Sequence, residues 1–358
     1  MTGIDRSVRR WTRGPRQSLR LLIVAGCAVA CGACGSTPTG NGGTVNAALL
    51  DSAFALAQQQ PNLTSLVVAR DGAIERQAYF AGGGPDTPQD VRSVTKSVVS
   101  LLTGIALERG YLRSLDQNLG ELLGPLAPSD PAKAAITLRH LLTMTSGLGG
   151  DELADPSLYN QWAAAPDQLA YVWDLPLIAS PGTQFNYYSP TYYVLSRILT
   201  RTAGQTTSDF AREALFIPLG IAPPQWETDD QGFVNGGAGL RLTPMDMVAL
   251  GNLVLTSGRA GGNQVVSASW VQAATGRKIA TNALSFASGY GYGWWTGQSA
   301  GTDYVFATGY GGQFIVVVPQ KRLVVTAAMR WSGVGTATAS AQWQAIMDLI
   351  MRRIMPAY

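Results

Sequence analysis

Apolar positions recur at helical spacing in A-L-L-D-S-A-F-A-L-A-Q-Q-Q (residues 48–60), which predicts a helix closed by Pro61. The next stretch, L-T-S-L-V-V-A-R-D-G-A-I-E-R-Q-A-Y-F (63–80), reads as two strands joined at Asp71-Gly72, a dipeptide suited to the positive φ angles of a tight hairpin. After the loop A-G-G-G-P-D-T-P comes S-V-T-K-S-V-V-S-L-L-T-G-I-A-L-E-R-G (93–110). It is apolar almost all round from Val98 to Leu107 and stops at Gly110, the pattern of a helix buried in the centre of a core. From about 111 to 284, short helical patterns alternate with Pro- and Gly-rich loops and strand pattern is scarce. Strands return in D-Y-V-F-A-T-G-Y, Q-F-I-V-V-V-P and R-L-V-V-T-A-A-M-R, separated by Gly311-Gly312 and Gln320-Lys321. Such short turns imply antiparallel neighbours. A last amphipathic helix over about 338–355 gathers Trp343, Ile346, Met347, Ile350 and Ile354 on one stripe.

These elements predict an α+β fold: an antiparallel sheet built from both chain ends, flanked by helices, with a mostly helical segment inserted. The sheet lobe spans about 48–92 and 285–358, and the helical lobe about 93–284. The chain has 358 residues, 46% hydrophobic and 14% charged, ample for a buried core and unlike a disordered chain.

Residues 1–34 differ in character. Six arginines (Arg6, Arg9, Arg10, Arg13, Arg16 and Arg20) face one acid, Asp5, and precede the apolar run L-L-I-V-A-G-C-A-V-A-C-G-A-C. A basic region followed by an apolar stretch short for a membrane span predicts a secretory signal peptide. Small residues before Cys27 resemble a bacterial lipobox, in which the cysteine is lipidated and becomes the mature N-terminus. Cys31 and Cys34 are rival anchors; Cys34 has the better apolar length before it and leads into a flexible tether over 35–47. An ordinary cleaved signal with incidental cysteines is the alternative. Either way export is expected, and any membrane tie is the lipid anchor.

The formal charge of +3 comes from that leader, and the rest of the chain is slightly acidic. No basic stripe remains there, so nucleic acid is not an expected partner. All three cysteines lie within 27–34, which leaves the body without a disulfide, a cysteine nucleophile or a cysteine zinc site. A single histidine, His140, excludes multi-histidine metal sites and makes a Ser-His-Asp triad depend on that one residue.

Chemistry without imidazole is available at the opening of the buried helix. Ser93 and Lys96 lie three apart, which puts both side chains on one face. A serine at a helix N-terminus sits near free N–H groups and a positive dipole end, suited to a tetrahedral oxyanion. A lysine beside it in apolar surroundings can lose its proton near neutral pH and act as a base. The spacing alone is weak, since a capping serine followed by a solvated lysine reads the same way.

Four further segments add weight. I-T-L-R-H-L-L-T-M-T-S-G-L (136–148), P-G-T-Q-F-N-Y-Y-S-P-T-Y-Y-V-L-S-R-I-L (181–199), G-G-A-G-L-R-L-T-P-M-D-M-V-A-L-G (236–251) and A-T-G-Y-G-G-Q-F (307–314) follow in order. With Ser93 and Lys96 they resemble the serine β-lactamase and penicillin-binding protein superfamily, in the branch of class C β-lactamases, family VIII esterases and 6-aminohexanoate-dimer hydrolases. The resemblance runs from about residue 48 to the end and implies a β-lactamase/transpeptidase-like fold.

It makes Ser93 the acylated nucleophile, Lys96 its proton acceptor and Tyr187 the second acid/base, with Tyr188 as the fallback. Ser189 takes the third position of the Tyr element, where many relatives have Asn, and is expected with Gly309 to contact substrate. The backbone N–H groups of Ser93 and Tyr310 would form the oxyanion hole. Ala307 stands where many relatives carry Lys or His, and an alanine offers neither charge nor hydrogen bond to a substrate carboxylate. That departure weighs against efficient β-lactamase or carboxypeptidase activity, and T-G-Y-G-G-Q-F looks closest to the dimer-hydrolase branch, which cleaves small linear amides and often esters.

Of the other residues, His140 reads as a packed helix residue. The run G-Y-G-Y-G-W-W (289–295) reads as strand and core, or else as one aromatic wall of an acyl pocket. Asn235, before Gly236-Gly237, is a candidate pocket hydrogen-bonder or a loop-turn residue. The expected function is hydrolysis of small esters or linear amides without metal or organic cofactor. A β-lactamase or D-alanyl-D-alanine peptidase, and a non-catalytic envelope binding protein of the same fold, are the rivals.

Overall fold

The computed structural model describes residues 45–358. The leader, with Cys27, Cys31 and Cys34, lies outside the described residues. Helix α1 (Ala47–Gln58) is capped by Asn46, whose side chain accepts from the Leu49 N–H. Strands β1 (Leu63–Arg70) and β2 (Ala73–Tyr79) follow, and their hairpin turns at Asp71 (φ 54°) and Gly72 (φ 81°). Both positions are left-handed, which suits a two-residue turn on right-twisted strands.

Six further strands complete one antiparallel sheet: β3 (Ile279–Ala280), β4 (Gly289–Tyr290), β5 (Trp295–Ser299), β6 (Thr302–Gly309), β7 (Gln313–Val318) and β8 (Leu323–Met329). The order is β2-β1-β8-β7-β6-β5-β4-β3, so the two ends of the chain meet where β1 pairs with β8, Val67 opposite Thr326. The central strands β1, β7 and β8 are buried almost throughout, as strands covered on both faces must be.

What covers them follows from the two-residue period of a strand. Phe314 meets Trp343 of helix α5 (Thr336–Leu349), with ring centroids 5.4 Å apart. Its neighbour Ile315 points to the opposite face, where α4 (Pro244–Leu255) brings Gly251 against Val324 and Ile315 so closely that a Cβ would fall 2.4 Å from Val324 Cγ1. Beyond the Asp348 turn the expected C-terminal helix does not continue as regular α structure. It loosens into a π turn over Ile350–Ile354 and a 3-10 turn over Met355–Ala357.

Between β2 and β3 lie the buried helix α2 (Thr95–Glu108), α3 (Pro190–Ala203), α4 and several shorter helices. The two-residue ribbon Gln89–Asp90 with Arg241–Leu242, and the edge strand β3, were not apparent from a pattern of apolar alternation, which two residues cannot display. In α2 every residue from Thr95 to Ala106 is buried, and Gly104 allows Trp270 to lie directly on the helix, where a Cβ would meet the indole at 2.2 Å.

Candidate active site

Ser93 is held just outside α2. A 3-10 turn over Arg92–Val94 precedes the helix, and Arg92 takes φ +50°, a left-handed conformation unusual for a residue with a side chain. Three side chains hold it there. The Arg92 N–H donates to Asp90 Oδ1 at 2.8 Å, and its guanidinium pairs with Asp90 at 3.5 Å while lying over the rings of Tyr159 (4.8 Å) and Trp331 (4.4 Å). Strand β6 closes on the same turn at Gly309, where a Cβ would fall 2.3 Å from the Val91 carbonyl oxygen. Only glycine permits that approach.

Lys96 follows one turn later, 1% exposed. Its Nζ donates to the Gly237 carbonyl at 2.8 Å and to Ser189 Oγ at 2.9 Å, and stands 2.7 Å from Ser93 Oγ. Gly236 and Gly237 let that carbonyl in, since Cβ atoms there would meet the Tyr192 and Ser189 carbonyls at 2.1 and 2.8 Å. Removal from water, the largest cause, lowers the Lys96 pKa to about 7; Glu152 opposes the shift and Arg92 adds to it. At neutral pH a substantial fraction of the amine is unprotonated, as a base requires.

Glu152 was not anticipated from the sequence. Its loop lies along the Tyr187 segment: the Glu152 N–H donates to the Tyr187 carbonyl at 2.9 Å, and its carboxylate accepts from the Ser189 N–H and Ser189 Oγ, each at 2.7 Å. Burial raises its pKa, against the lowering effects of Lys96 and the two Ser189 bonds. The only trace in the sequence is an acidic pair, Asp151-Glu152, in the glycine-rich G-L-G-G-D-E-L.

Tyr187 completes the group. Its side chain lines the same cavity as Ser93, which opposes the upward shift of its pKa, and the Lys96 Nζ lies 4.8 Å from its ring centroid. Its ring stacks on Trp295 (5.7 Å, 24°) and stands edge-on to Tyr290. Burial, with Tyr290 next, pushes the phenol well above its ordinary pKa, so Tyr187 holds its proton at neutral pH and is a donor there rather than a base. Tyr188 is fully buried behind it, packed on Gly149, and does not line the cavity.

Ser93, Glu152, Tyr187 and Ser189 face one cavity of about 800 Å³ with Thr308, Gly309 and Tyr310. Tyr159, Trp295, Trp331 and Trp343 add aromatic wall to it, among polar side chains that include Asp155, Ser157 and Asn160. The Tyr310 N–H donates to no protein carbonyl among the described residues. Ala307 is buried within β6 and contributes nothing to the cavity.

Some expectations change in detail. Asn235 is not a pocket residue: its Oδ1 accepts from the Gly237 and Ala238 N–H groups and its Nδ2 donates to Tyr159, so it shapes the loop whose carbonyl binds Lys96. Ser189 lines the cavity, yet its hydroxyl is engaged on both sides, by Lys96 and Glu152. Trp343, read as core stripe, is half-buried on the cavity wall and donates to Thr308 Oγ1 at 2.7 Å. The 289–295 run divides: Trp294 is core, whereas Trp295 lines the cavity. His140 is structural. Its Nδ1 accepts from the Thr137 N–H at 3.2 Å in a helix capping box, and it borders a separate cavity of about 330 Å³ away from Ser93.

The fold is that of the β-lactamase-type serine hydrolases. The chain belongs to the Beta-lactamase family, whose model matches residues 55–346. It is 25% identical to the 6-aminohexanoate-dimer hydrolase of Paenarthrobacter ureafaciens over 292 residues, covering 75% of this chain and 72% of that one. It is 30% identical to esterase EstB of Burkholderia gladioli over 212 residues, 53% of this chain and 52% of the other. Among solved structures, the octameric penicillin-binding protein homologue of Pyrococcus abyssi superposes with a TM-score of 0.66 at 20% identity, covering 86% of this chain and 77% of that one.

Proposed function

We propose that this protein is an exported serine hydrolase that cleaves small, uncharged esters or linear amides through a Ser93 acyl-enzyme. One observation carries the reading: Lys96 Nζ, with a pKa near 7, stands 2.7 Å from Ser93 Oγ while its other two contacts are acceptors of its protons. An unprotonated amine so placed offers its lone pair to the serine O–H.

In the proposed reaction Ser93 Oγ attacks the carbonyl carbon and its proton passes to Lys96. The oxyanion is held by the Ser93 and Tyr310 N–H groups. As the tetrahedral intermediate collapses, Tyr187 gives its proton to the departing alcohol or amine and is reprotonated from Lys96. Water then enters and attacks the acyl carbon as it loses a proton to Lys96, and the second tetrahedral intermediate collapses to the acid as Lys96 returns that proton to Ser93 Oγ. Each step returns the proton it takes.

Two features support a neutral substrate. The Arg92 guanidinium, the cation nearest Ser93 on the cavity wall, is paired with Asp90 and covered by two aromatic rings. Ala307 supplies no donor for a substrate carboxylate. A substrate screen tests the reading: short nitrophenyl esters and linear amides should turn over, and nitrocefin slowly or not at all; the reverse order would favour a β-lactamase or peptidase. Export through a signal peptide, with Cys34 or Cys27 as the lipid anchor, is part of the proposal and rests on the leader's sequence. Metabolic labelling with a fatty-acid probe, lost in the responsible Cys→Ala variant, checks it. Among the described residues no helix is long and apolar enough to cross a membrane.

A further inference from the structure

The direction of each hydrogen bond around Lys96 can be assigned by elimination. The Gly237 carbonyl has no proton to give, so it accepts from Nζ. In its ionised form the Glu152 carboxylate likewise only accepts: it takes the Ser189 N–H on Oε1 and the Ser189 hydroxyl proton on Oε2, each at 2.7 Å. With its one proton committed, the Ser189 oxygen can only accept from Lys96, 2.9 Å away. An unprotonated amine has two protons, and both are now used. Its lone pair is left facing the third neighbour, Ser93 Oγ.

We propose that Glu152, acting through the Ser189 hydroxyl, is the positioning residue that aims the Lys96 lone pair at Ser93. Without an obligate acceptor behind it, Ser189 would be free to turn its own proton toward Lys96 and occupy the lone pair that Ser93 needs. The three-point attachment of Glu152 to the Tyr187–Ser189 segment suits this role, because it fixes the carboxylate and the relay hydroxyl to one piece of backbone. The inference rests on the serine-hydrolase reading and adds a residue to it.

The variant Glu152→Gln isolates the effect. Its amide keeps the shape of the carboxylate but carries a donor, so the Ser189 hydroxyl can reverse. The groups facing Lys96 are Glu152 from its loop, Arg92 and Ser93 from the preceding turn, and Ser189 and Tyr187 from the segment before α3; Asp90 pairs with Arg92, and Tyr290 stands against Tyr187. Removing the Glu152 charge and reversing Ser189 both favour unprotonated Lys96, so both move the acidic limb of kcat/KM to lower pH.

The test follows hydrolysis of nitrophenyl butyrate against pH for wild type, Glu152→Gln, Ser189→Ala and the double variant, with rates per serine titrated by a fluorophosphonate. The expected result is a kcat lower by about a hundredfold in each single variant, with KM little changed. The acidic limb of Glu152→Gln moves to lower pH, and the double variant is no slower than the worse single one. A wild-type limb in Glu152→Gln, or losses that multiply in the double variant, would overturn the proposal. If Glu152→Gln fails to fold, Ser189→Ala decides alone, since it keeps the carboxylate and removes only the relay: wild-type kcat there overturns the proposal. Wild-type protein that never reacts at Ser93 would instead refute the serine-hydrolase reading.

Discussion

Lys96 Nζ and Ser93 Oγ are 2.7 Å apart at the start of a helix in which Lys96 is the only charged residue buried between Thr95 and Ala106. An ammonium in that setting would lack most of its hydration, and the amine therefore sheds its proton near pH 7.

The first prediction concerns pH. In the proposed mechanism the unprotonated amine is the active form, so kcat/KM for a neutral ester should rise with pH through about 7 and then level off. Lys96→Met should lose about 10²–10⁴-fold and with it the limb. A profile flat from pH 5 to 9 would contradict the assignment of Lys96 as base.

Tyr187 sets the other limb. Its phenol is pushed well above the ordinary value, so no loss of rate from its ionisation should appear below pH 10. Tyr187→Phe removes the proposed proton donor to the leaving group and should lower kcat by about 10²–10⁴-fold, most for amides, whose leaving group needs the proton most. Equal losses for a nitrophenyl ester and an amide would argue against that role.

Gly309 ties β6 to the Ser93 turn. In Gly309→Ala the new Cβ meets the Val91 carbonyl and the Arg92 Cβ, neither the far end of a flexible chain. Thermal or denaturant unfolding should show a loss of about 1–3 kcal/mol, and the folded protein should acylate more slowly because the Tyr310 N–H is displaced. Wild-type stability and rate in this variant would contradict the close approach.

Trp343 joins the cavity wall to Thr308 through its indole N–H. Trp343→Ala should shift preference toward longer acyl chains, by about tenfold in the ratio of kcat/KM for octanoate over butyrate nitrophenyl esters. Trp343→Phe keeps most of the wall and should leave the ratio near wild type. An unchanged ratio in both variants would place the acyl chain elsewhere in the cavity.

Much of the fold and of the site is legible in the sequence. The strands from Asp303 to Met329 show in continuous apolar runs cut by two short turns, and Ser93 with Lys96 shows in the spacing of one helical turn. Glu152 did not show, because it reaches Ser189 from an irregular loop where no period marks which side chain turns inward. Periodicity puts Trp343 on the buried stripe of its helix, yet it gives a face and not what that face meets. At that point along α5 the sheet partner Phe314 and the open cavity lie side by side. Asn235 illustrates the opposite case: its type suggested a ligand contact, whereas its bonds serve the backbone of the loop that holds Lys96.

The account stands most directly on the acylation of Ser93. Wild-type protein mixed with excess nitrophenyl butyrate and quenched in acid within the first turnovers should show by intact-mass spectrometry one added butyryl group, located to the peptide containing Ser93 and missing from Ser93→Ala, which should also be inactive. Butyrylation of another residue, or full turnover by Ser93→Ala, would contradict it.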